Sequence, residues 1–269
     1  MSRIGERFDQ LLKNGQKALI PYLTAGDPDL ETTCHLAAAM EQGGADLIEL
    51  GIPFSDPLAD GATIQRASQR ALQGGVDLDA ILETCEKIRR SSPLPLVLMS
   101  YYNPILRYGL QSFVKDAAGA GVDGVIVPDL PPDEVEAEKF LRIARPGNLD
   151  LVFLVTPSST DQRIDLVNAH ASGFIYCVSL AGVTGARQQM NAGLKTFIER
   201  VRRRTDKPLA VGFGISTPAQ AREIARYADG IIVGSAIVDI VQRAKDKREA
   251  VDGVGKFVNA LKNAIREGD

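Results

Sequence analysis

The stretch Ile48-Glu49-Leu50-Gly51-Ile52-Pro53-Phe54-Ser55-Asp56-Pro57-Leu58-Ala59-Asp60-Gly61 begins inside an apolar run, 45–51, and continues into a loop rich in turn-forming residues. The run has the pattern of a buried strand. A buried carboxylate without a partner costs several kcal/mol or changes its pKa. Glu49 is therefore predicted to be either paired or chemically active, and Asp60, beyond the loop, is the natural second carboxylate of an acid–base site.

Runs of this kind recur along the whole chain, separated by segments with helical periodicity. Because they are continuously apolar, they are typical of strands covered on both faces, as in a parallel sheet packed by helices. Eight such runs predict an α/β fold, a closed (β/α)8 TIM barrel, rather than an open doubly wound sheet. The predicted strands are Ala18–Leu23, Ala45–Gly51, Pro95–Tyr101, Gly124–Pro128, Asp150–Thr156, Gly173–Ser179, Pro208–Gly214 and Gly230–Gly234.

The length of 269 residues suits one such barrel, which commonly uses ~250 residues, so residues 1–269 are predicted to form a single domain. An extra N-terminal helix, Ile4–Lys13, is predicted to close the bottom of the barrel, and Val251–Arg266 to be the last outer helix. Long βα loops are predicted after the second and sixth strands. The other predicted helices are Leu30–Gln42, Leu78–Arg90, Gln111–Ala120, Asp133–Ala144, Asp161–Ala169, Leu194–Arg204 and Pro218–Tyr227.

Composition argues against several classes of function. The net charge is −3 and there is no basic block, which disfavours binding to nucleic acids or membrane surfaces. The three cysteines, Cys34, Cys85 and Cys177, form no CxxC pair and are predicted to be free thiols in a reducing compartment. With no signal-peptide pattern at the start, a cytoplasmic location is expected, and a plastid protein whose transit peptide has been removed stays open as an alternative.

Two glycine-containing strand ends predict a phosphate site. Gly212-Phe213-Gly214-Ile215-Ser216 ends the seventh strand, and Gly234-Ser235 ends the eighth just before an apolar helix. Glycines let backbone N–H groups approach an anion, a helix start adds unsatisfied donors, and barrels commonly bind phosphate at these two loops. Gly182-Val183-Thr184-Gly185, after the sixth strand, is predicted to supply a third side. The alternative is that these glycines only serve tight turns.

Strand alternation places Ile48 and Leu50 towards the helices and Glu49 towards the mouth of the barrel. An apolar environment there is expected to raise the pKa of Glu49 towards neutrality, which suits a group that gives and takes a proton. The alternative is a glutamate held by a structural partner. Asp60 precedes a glycine and has a turn residue as its alternative interpretation, and Asp56 is expected to be a turn or cap residue.

Other catalytic groups are missing from the strand ends. No lysine falls there, which disfavours a Schiff-base aldolase, and the two histidines, His35 and His170, lie in helical segments, which disfavours a histidine-bound metal. Carbon–carbon cleavage would then depend on the two carboxylates and on an electron-rich substrate. Aromatic and apolar side chains near strand ends suit such a substrate, or are simply core. They include Tyr22, Tyr101, Tyr176, Phe213 and Ile232.

Six segments together resemble the tryptophan synthase α subunit family, over nearly the whole chain. They are Tyr22-Leu23-Thr24-Ala25-Gly26-Asp27-Pro28, Ile48–Gly61, Tyr101-Tyr102-Asn103-Pro104, Gly182-Val183-Thr184-Gly185, Gly212-Phe213-Gly214-Ile215-Ser216 and Gly234-Ser235. The resemblance implies a lyase that performs retro-aldol cleavage of indole-3-glycerol phosphate to indole and D-glyceraldehyde 3-phosphate in tryptophan biosynthesis, without a metal or a Schiff base.

The resemblance also implies a role for each matching residue. Glu49 resembles the acid–base residue at indole C3 and at the glycerol hydroxyl, and Asp60 the carboxylate that binds the indole N–H. Thr184 resembles a loop residue that closes against Asp60. The phosphate positions are Gly185, Gly214, Gly234 and Ser235, and the indole-pocket positions are Tyr22, Tyr101, Tyr176, Phe213 and Ile232.

A partner is implied in the same way. The family docks on a β subunit in an α2β2 heterotetramer, and Pro53, Asp56 and Asn103 match positions where the two subunits meet. No cofactor is expected in this chain, whereas pyridoxal phosphate is expected in the β subunit. Two alternatives remain open: a stand-alone lyase that releases free indole, and another phosphate-binding TIM-barrel enzyme, such as a sugar-phosphate isomerase. A barrel that only binds and activates a partner is the non-enzymatic alternative.

Overall fold

The computed structural model describes residues 2–179, 187–212 and 214–266, with only the backbone helix described for residues 187–192. Within these residues, nine parallel strands form one sheet that curves into a nearly closed barrel. The strands are β1 (Ala18–Thr24), β2 (Ile48–Gly51), β3 (Leu96–Met99), β4 (Gly124–Ile126), β5 (Asp150–Val152), β6 (Leu154–Val155), β7 (Ile175–Val178), β8 (Leu209–Gly212) and β9 (Gly230–Val233).

Helices surround this barrel, as the predicted TIM-barrel fold requires. Within the described residues they are α1 (Arg3–Lys13), α2 (Leu30–Gln42), α3 (Ala62–Gln73), α4 (Leu78–Ser91), α5 (Tyr102–Tyr108), α6 (Leu110–Gly119), α7 (Val135–Ala144), α8 (Asp161–His170), α9 (Arg187–Arg202), α10 (Pro218–Ala225), α11 (Ser235–Arg243) and α12 (Lys247–Arg266).

The barrel prediction is confirmed, but the single predicted strand 150–156 is divided at Phe153. The sheet runs in the order β5-β4-β3-β2-β1-β9-β8-β7-β6, so its two end strands follow each other directly in sequence. β5 pairs with β4 over three residues and β6 pairs with β7 over two. The run therefore changes its hydrogen-bonded neighbour at Phe153, and eight predicted strands become nine.

Strand alternation separates two apolar cores. Ile48 and Leu50 belong to the core between the sheet and the helices, whereas Leu47 faces the barrel interior. Ile4 and Phe8 of α1 pack into that interior core, which confirms that the first helix closes the bottom of the barrel. This arrangement leaves the opposite, carboxyl end of the strands open for chemistry.

The structure adds two helices that the sequence analysis does not predict. α3 buries a face made mostly of small residues, including Ala67 and Ala71, so its apolar periodicity is weak. α5 is seven residues long and contains Pro104 in its first turn, where proline is tolerated. α9 begins at Arg187, seven residues before the predicted start.

Three aspartates at the lower end of the barrel each accept a hydrogen bond from the start of a neighbouring strand. The pairs are Leu19 N–H with Asp46, Leu96 N–H with Asp123 and Leu209 N–H with Asp229, at 2.7, 2.8 and 2.9 Å. Each aspartate also pairs with a basic side chain, and Lys262 Nζ lies 2.6 Å from Asp46 with both side chains buried. These charges stabilise the end of the barrel that carries no candidate site.

Candidate active site

A cavity of about 690 Å³ opens at the carboxyl ends of the strands, a volume in the range of small-molecule sites. It brings together both predicted carboxylates, part of the predicted phosphate cradle and part of the predicted aromatic pocket. Its lining residues are Tyr22, Glu49, Asp60, Gly61, Ile64, Met99, Tyr176, Gly214, Ile215, Ser216, Ile232, Gly234, Ser235, Ala236, Asp239, Ile240, Arg243 and Phe257.

Glu49 lies on β2 between Tyr22 of β1 and Val97 of β3, and its side chain faces this cavity. The residue is 1% exposed, and its Oε2 atom has no hydrogen-bond partner among the described residues. Burial, reinforced by the nearby charge of Asp60, raises the pKa of Glu49 from 4.5 to about 8. A buried carboxyl group without a hydrogen-bond partner on one oxygen is mainly protonated at neutral pH and can donate its proton.

Asp60 lies at the far end of the loop that follows β2, two residues before α3 begins. It is half-buried. Burial raises its pKa, and the nearby Tyr101 phenol opposes the increase. The two carboxylates therefore differ in environment, since Glu49 is enclosed while Asp60 has a polar neighbour and partial access to water. This difference allows them to take different roles.

Two tyrosines form walls of the cavity, and each lies over a glycine of the next strand. A Cβ atom at Gly51 would lie 2.0 Å from the Tyr22 hydroxyl oxygen, and one at Gly212 would lie 2.1 Å from that of Tyr176. Only glycine leaves room for the rings at these points. Burial raises the pKa of both phenols, so both are neutral in the cavity.

The start of α11 forms the other end of the cavity. Gly234 precedes the helix and makes no side-chain cap, so the first turn presents backbone N–H groups without a competing side chain. Ser235 and Gly214 line the same end, and Gly214 has a positive φ of 74°. A helix N-terminus beside glycines is suited to a phosphate.

The remaining predicted residues are placed as follows. Ile232 lines the cavity, whereas Tyr101 is not among the lining residues of the described chain and instead contacts the loop of Asp60. Of the predicted interface residues, Asp56 and Asn103 are exposed and Pro53 is buried. Thr184, Gly185 and Phe213 lie outside the described residues.

Several residues that line the cavity were not predicted from the sequence. Met99 ends β3 and points into the barrel, a position that the alternation of the strand already indicates. Ile64 and Asp239 come from α3 and α11, and Thr63 Oγ1 donates to Asp239 Oδ1 at 3.3 Å, joining the two helices. The sequence gives no signal for that pairing, because the two residues are 176 positions apart.

No three metal-binding side chains come together in the described ranges. Within the same ranges, no helix combines the length and the apolar character that a membrane span requires. Cys34, Cys85 and Cys177 are free, as the sequence predicts.

Residues 8–266 match the family model described as Tryptophan synthase alpha chain. The alpha chain of Roseiflexus sp. (strain RS-1) is 54% identical over 263 residues, which cover 97% of this chain and all of that relative. The alpha chain of Citrifermentans bemidjiense is 50% identical over 268 residues, covering the whole of this chain and 99% of the relative. The crystal structure of tryptophan synthase subunit alpha from Legionella pneumophila str. Paris superposes with a TM-score of 0.92 at 38% identity and covers 99% of each chain.

Proposed function

The chain belongs to the tryptophan synthase alpha chain family, and from that premise we propose how its cavity works. The protein is a lyase of tryptophan biosynthesis that cleaves indole-3-glycerol phosphate to indole and D-glyceraldehyde 3-phosphate. The bond that breaks joins indole C3 to a carbon bearing a hydroxyl group. Cleavage therefore needs an acid at C3, a base at that hydroxyl and a way to hold positive charge on the ring.

Glu49 supplies both proton transfers in this proposal. With a pKa of about 8, its carboxyl is mainly protonated at neutral pH and donates its proton to indole C3. The resulting carboxylate takes the proton from the hydroxyl on the neighbouring carbon. The carbon–carbon bond then breaks, its electron pair returns to the ring, the hydroxyl becomes the aldehyde, and Glu49 is protonated again.

Asp60 acts as the carboxylate that hydrogen-bonds the indole N–H. Protonation at C3 leaves the ring positively charged, and an ionised carboxylate beside the nitrogen stabilises that charge where it develops. Burial raises the pKa of Asp60, and the Tyr101 phenol opposes that rise and so favours the ionised form that this role needs. The phosphate lies at the start of α11, against Gly214, Gly234 and Ser235. Tyr22, Tyr176 and Ile232 contact the ring in the proposed pocket.

The observation that carries this proposal is the unpartnered oxygen of Glu49, buried in the same cavity as Asp60 and the start of α11. Its test is turnover of indole-3-glycerol phosphate by Glu49→Gln and Asp60→Asn, with Glu83→Gln, an exposed acid of α4, as the matched control. We expect losses in kcat of about 10²–10⁴-fold, larger for Glu49, with KM little changed. Full activity in both variants would contradict the assignment.

Alpha chains of this family partner a beta subunit. We propose that this chain forms an α2β2 assembly through the carboxyl end of its barrel, and that the beta subunit holds pyridoxal phosphate. Apolar side chains after β2, β3 and β4 support this surface, because Leu58, Leu106 and Val135 are 87%, 54% and 61% exposed. Exposed apolar side chains that gather into one patch are typical of a binding surface.

Mixing the chain with a beta subunit tests the assembly. We expect a complex by size-exclusion chromatography and a faster lyase reaction, and Asp56→Lys or Asn103→Ala should weaken both. Lyase activity that is already maximal in the isolated chain, with no complex formed, would favour the stand-alone enzyme instead. A cytoplasmic location remains a prediction.

A further inference from the structure

Tyr101 contacts the loop that carries Asp60. It is 4% exposed and lies between β3 and α5. Its phenol oxygen accepts a hydrogen bond from the Ala59 N–H at 2.9 Å. The contact joins two segments that are 42 residues apart in sequence, and it fixes the peptide group directly before Asp60.

The same side chain contacts the beginning of the loop. The rings of Tyr101 and Phe54 pack with their centroids 5.4 Å apart and their planes at 32°. Such aromatic pairs contribute about 0.5–1.5 kcal/mol beyond the burial of their surface. The loop between β2 and α3 contains no helix or strand. Tyr101 holds it at two points, through its ring at Phe54 and through its hydroxyl at Ala59.

The phenol also acts on the Asp60 carboxyl. Because the Tyr101 oxygen accepts from Ala59, its own O–H is left to donate, and the phenol opposes the rise that burial causes in the pKa of the neighbouring Asp60. The other titratable groups that face Asp60 are Glu49 on β2, Tyr22 on β1 and Tyr176 on β7. Burial raises the pKa of the Tyr22 and Tyr176 phenols and of Glu49, so at neutral pH these three groups are mainly uncharged beside Asp60.

We propose that Tyr101 is a positioning residue, which uses its hydroxyl to fix the Ala59 peptide and the Asp60 carboxylate in the place where the indole N–H binds. This inference rests on the proposed function of Asp60. Tyr101 acts through Asp60, and it is not among the described residues that line the cavity. Losing its hydroxyl therefore reduces kcat, because charge on the ring is stabilised less well, while the phosphate contacts at α11 keep KM nearly constant.

The test compares Tyr101→Phe with Tyr227→Phe in the full chain, alone and saturated with beta subunit. Both substitutions remove one hydroxyl and keep the ring, and the Tyr227 hydroxyl is buried without a hydrogen-bond partner among the described residues. For Tyr101→Phe we expect kcat to fall by about 10–100-fold, with KM within about twofold of the parent. Tyr227→Phe should leave both constants unchanged.

A double variant isolates the route through Asp60. If Tyr101 acts only by positioning that carboxylate, then Tyr101→Phe adds no further loss of kcat in an Asp60→Asn background. An additional loss there of the same factor, an increase in KM alone, or an unchanged kcat for Tyr101→Phe would each overturn the proposal. An unchanged kcat for Asp60→Asn itself would instead overturn the proposed function of Asp60, so the two failures are distinguishable.

Discussion

Replacing Glu49 by glutamine should stabilise the folded chain, and the gain should grow with pH. In the unfolded chain this carboxyl has an ordinary pKa near 4.5, whereas burial in the folded chain raises it to about 8. Between these values the folded state binds a proton that the unfolded state has lost, so ionisation favours unfolding and stability falls as pH rises. At 1.36 kcal/mol per pKa unit, the full difference corresponds to about 5 kcal/mol, an upper value.

Urea unfolding at pH 5, 6, 7 and 8, followed by circular dichroism, measures this effect. The advantage of Glu49→Gln over the parent chain should increase by about 1 kcal/mol for each pH unit over this range. Glu83→Gln reports the change expected for an exposed glutamate of α4. A stability difference between Glu49→Gln and the parent that stays constant from pH 5 to pH 8 would refute the argument that burial of an unpaired acid sets this pKa.

Three further substitutions test other parts of the structure. Gly51→Ala places a Cβ 2.0 Å from the Tyr22 hydroxyl oxygen, so overpacking should cost about 1–3 kcal/mol of stability and lower the melting temperature. Adding Tyr22→Leu should restore the melting temperature. An unchanged melting temperature in the single variant would contradict the close packing of Tyr22 on Gly51. Gly234→Asp puts a carboxylate at the proposed phosphate site, so steady-state kinetics should show KM raised at least about tenfold. An unchanged KM would contradict the assignment of the phosphate site to the start of α11. Lys262→Met leaves Asp46 without its buried ammonium partner, so calorimetry should show a loss of about 3 kcal/mol, while kcat at 25 °C stays the same because the pair lies at the opposite end of the barrel.

The barrel was predictable because its strands are continuously apolar and its glycine-containing strand ends recur in order. The orientation of Glu49 also followed from alternation alone, since Ile48 and Leu50 had to face the helices. The division of the fifth strand at Phe153 was not predictable, because it depends on which neighbour each half pairs with. The apolar pattern of a segment does not indicate which distant strand it pairs with.

The site was predictable to the extent that a strand end carries it. Gly234 and Ser235 follow β9 directly, so their position comes from the order of the strands. The environment of Tyr101 did not follow in this way, because its partners lie on a loop without periodicity, and only the three-dimensional path of that loop brings the Ala59 N–H to the phenol. Proximity to a strand end indicates which residues reach the mouth of a barrel, but not what each of them touches there.

The division of the sheet at Phe153 means that the two ends of the substrate contact different halves of the barrel. On either side of it, the strands form two half-barrels that share β1. On the opposite side, the halves are joined by the chain between β5 and β6 and by a hydrogen bond from the Ser172 N–H to the Leu151 carbonyl. Glu49 belongs to one half, and the glycines at the start of α11 belong to the other. A substrate whose ring lies against Glu49 and whose phosphate lies at α11 therefore contacts both halves of the barrel. Because the substrate binds only when the two halves are together, its binding free energy adds to the stability of the closed barrel.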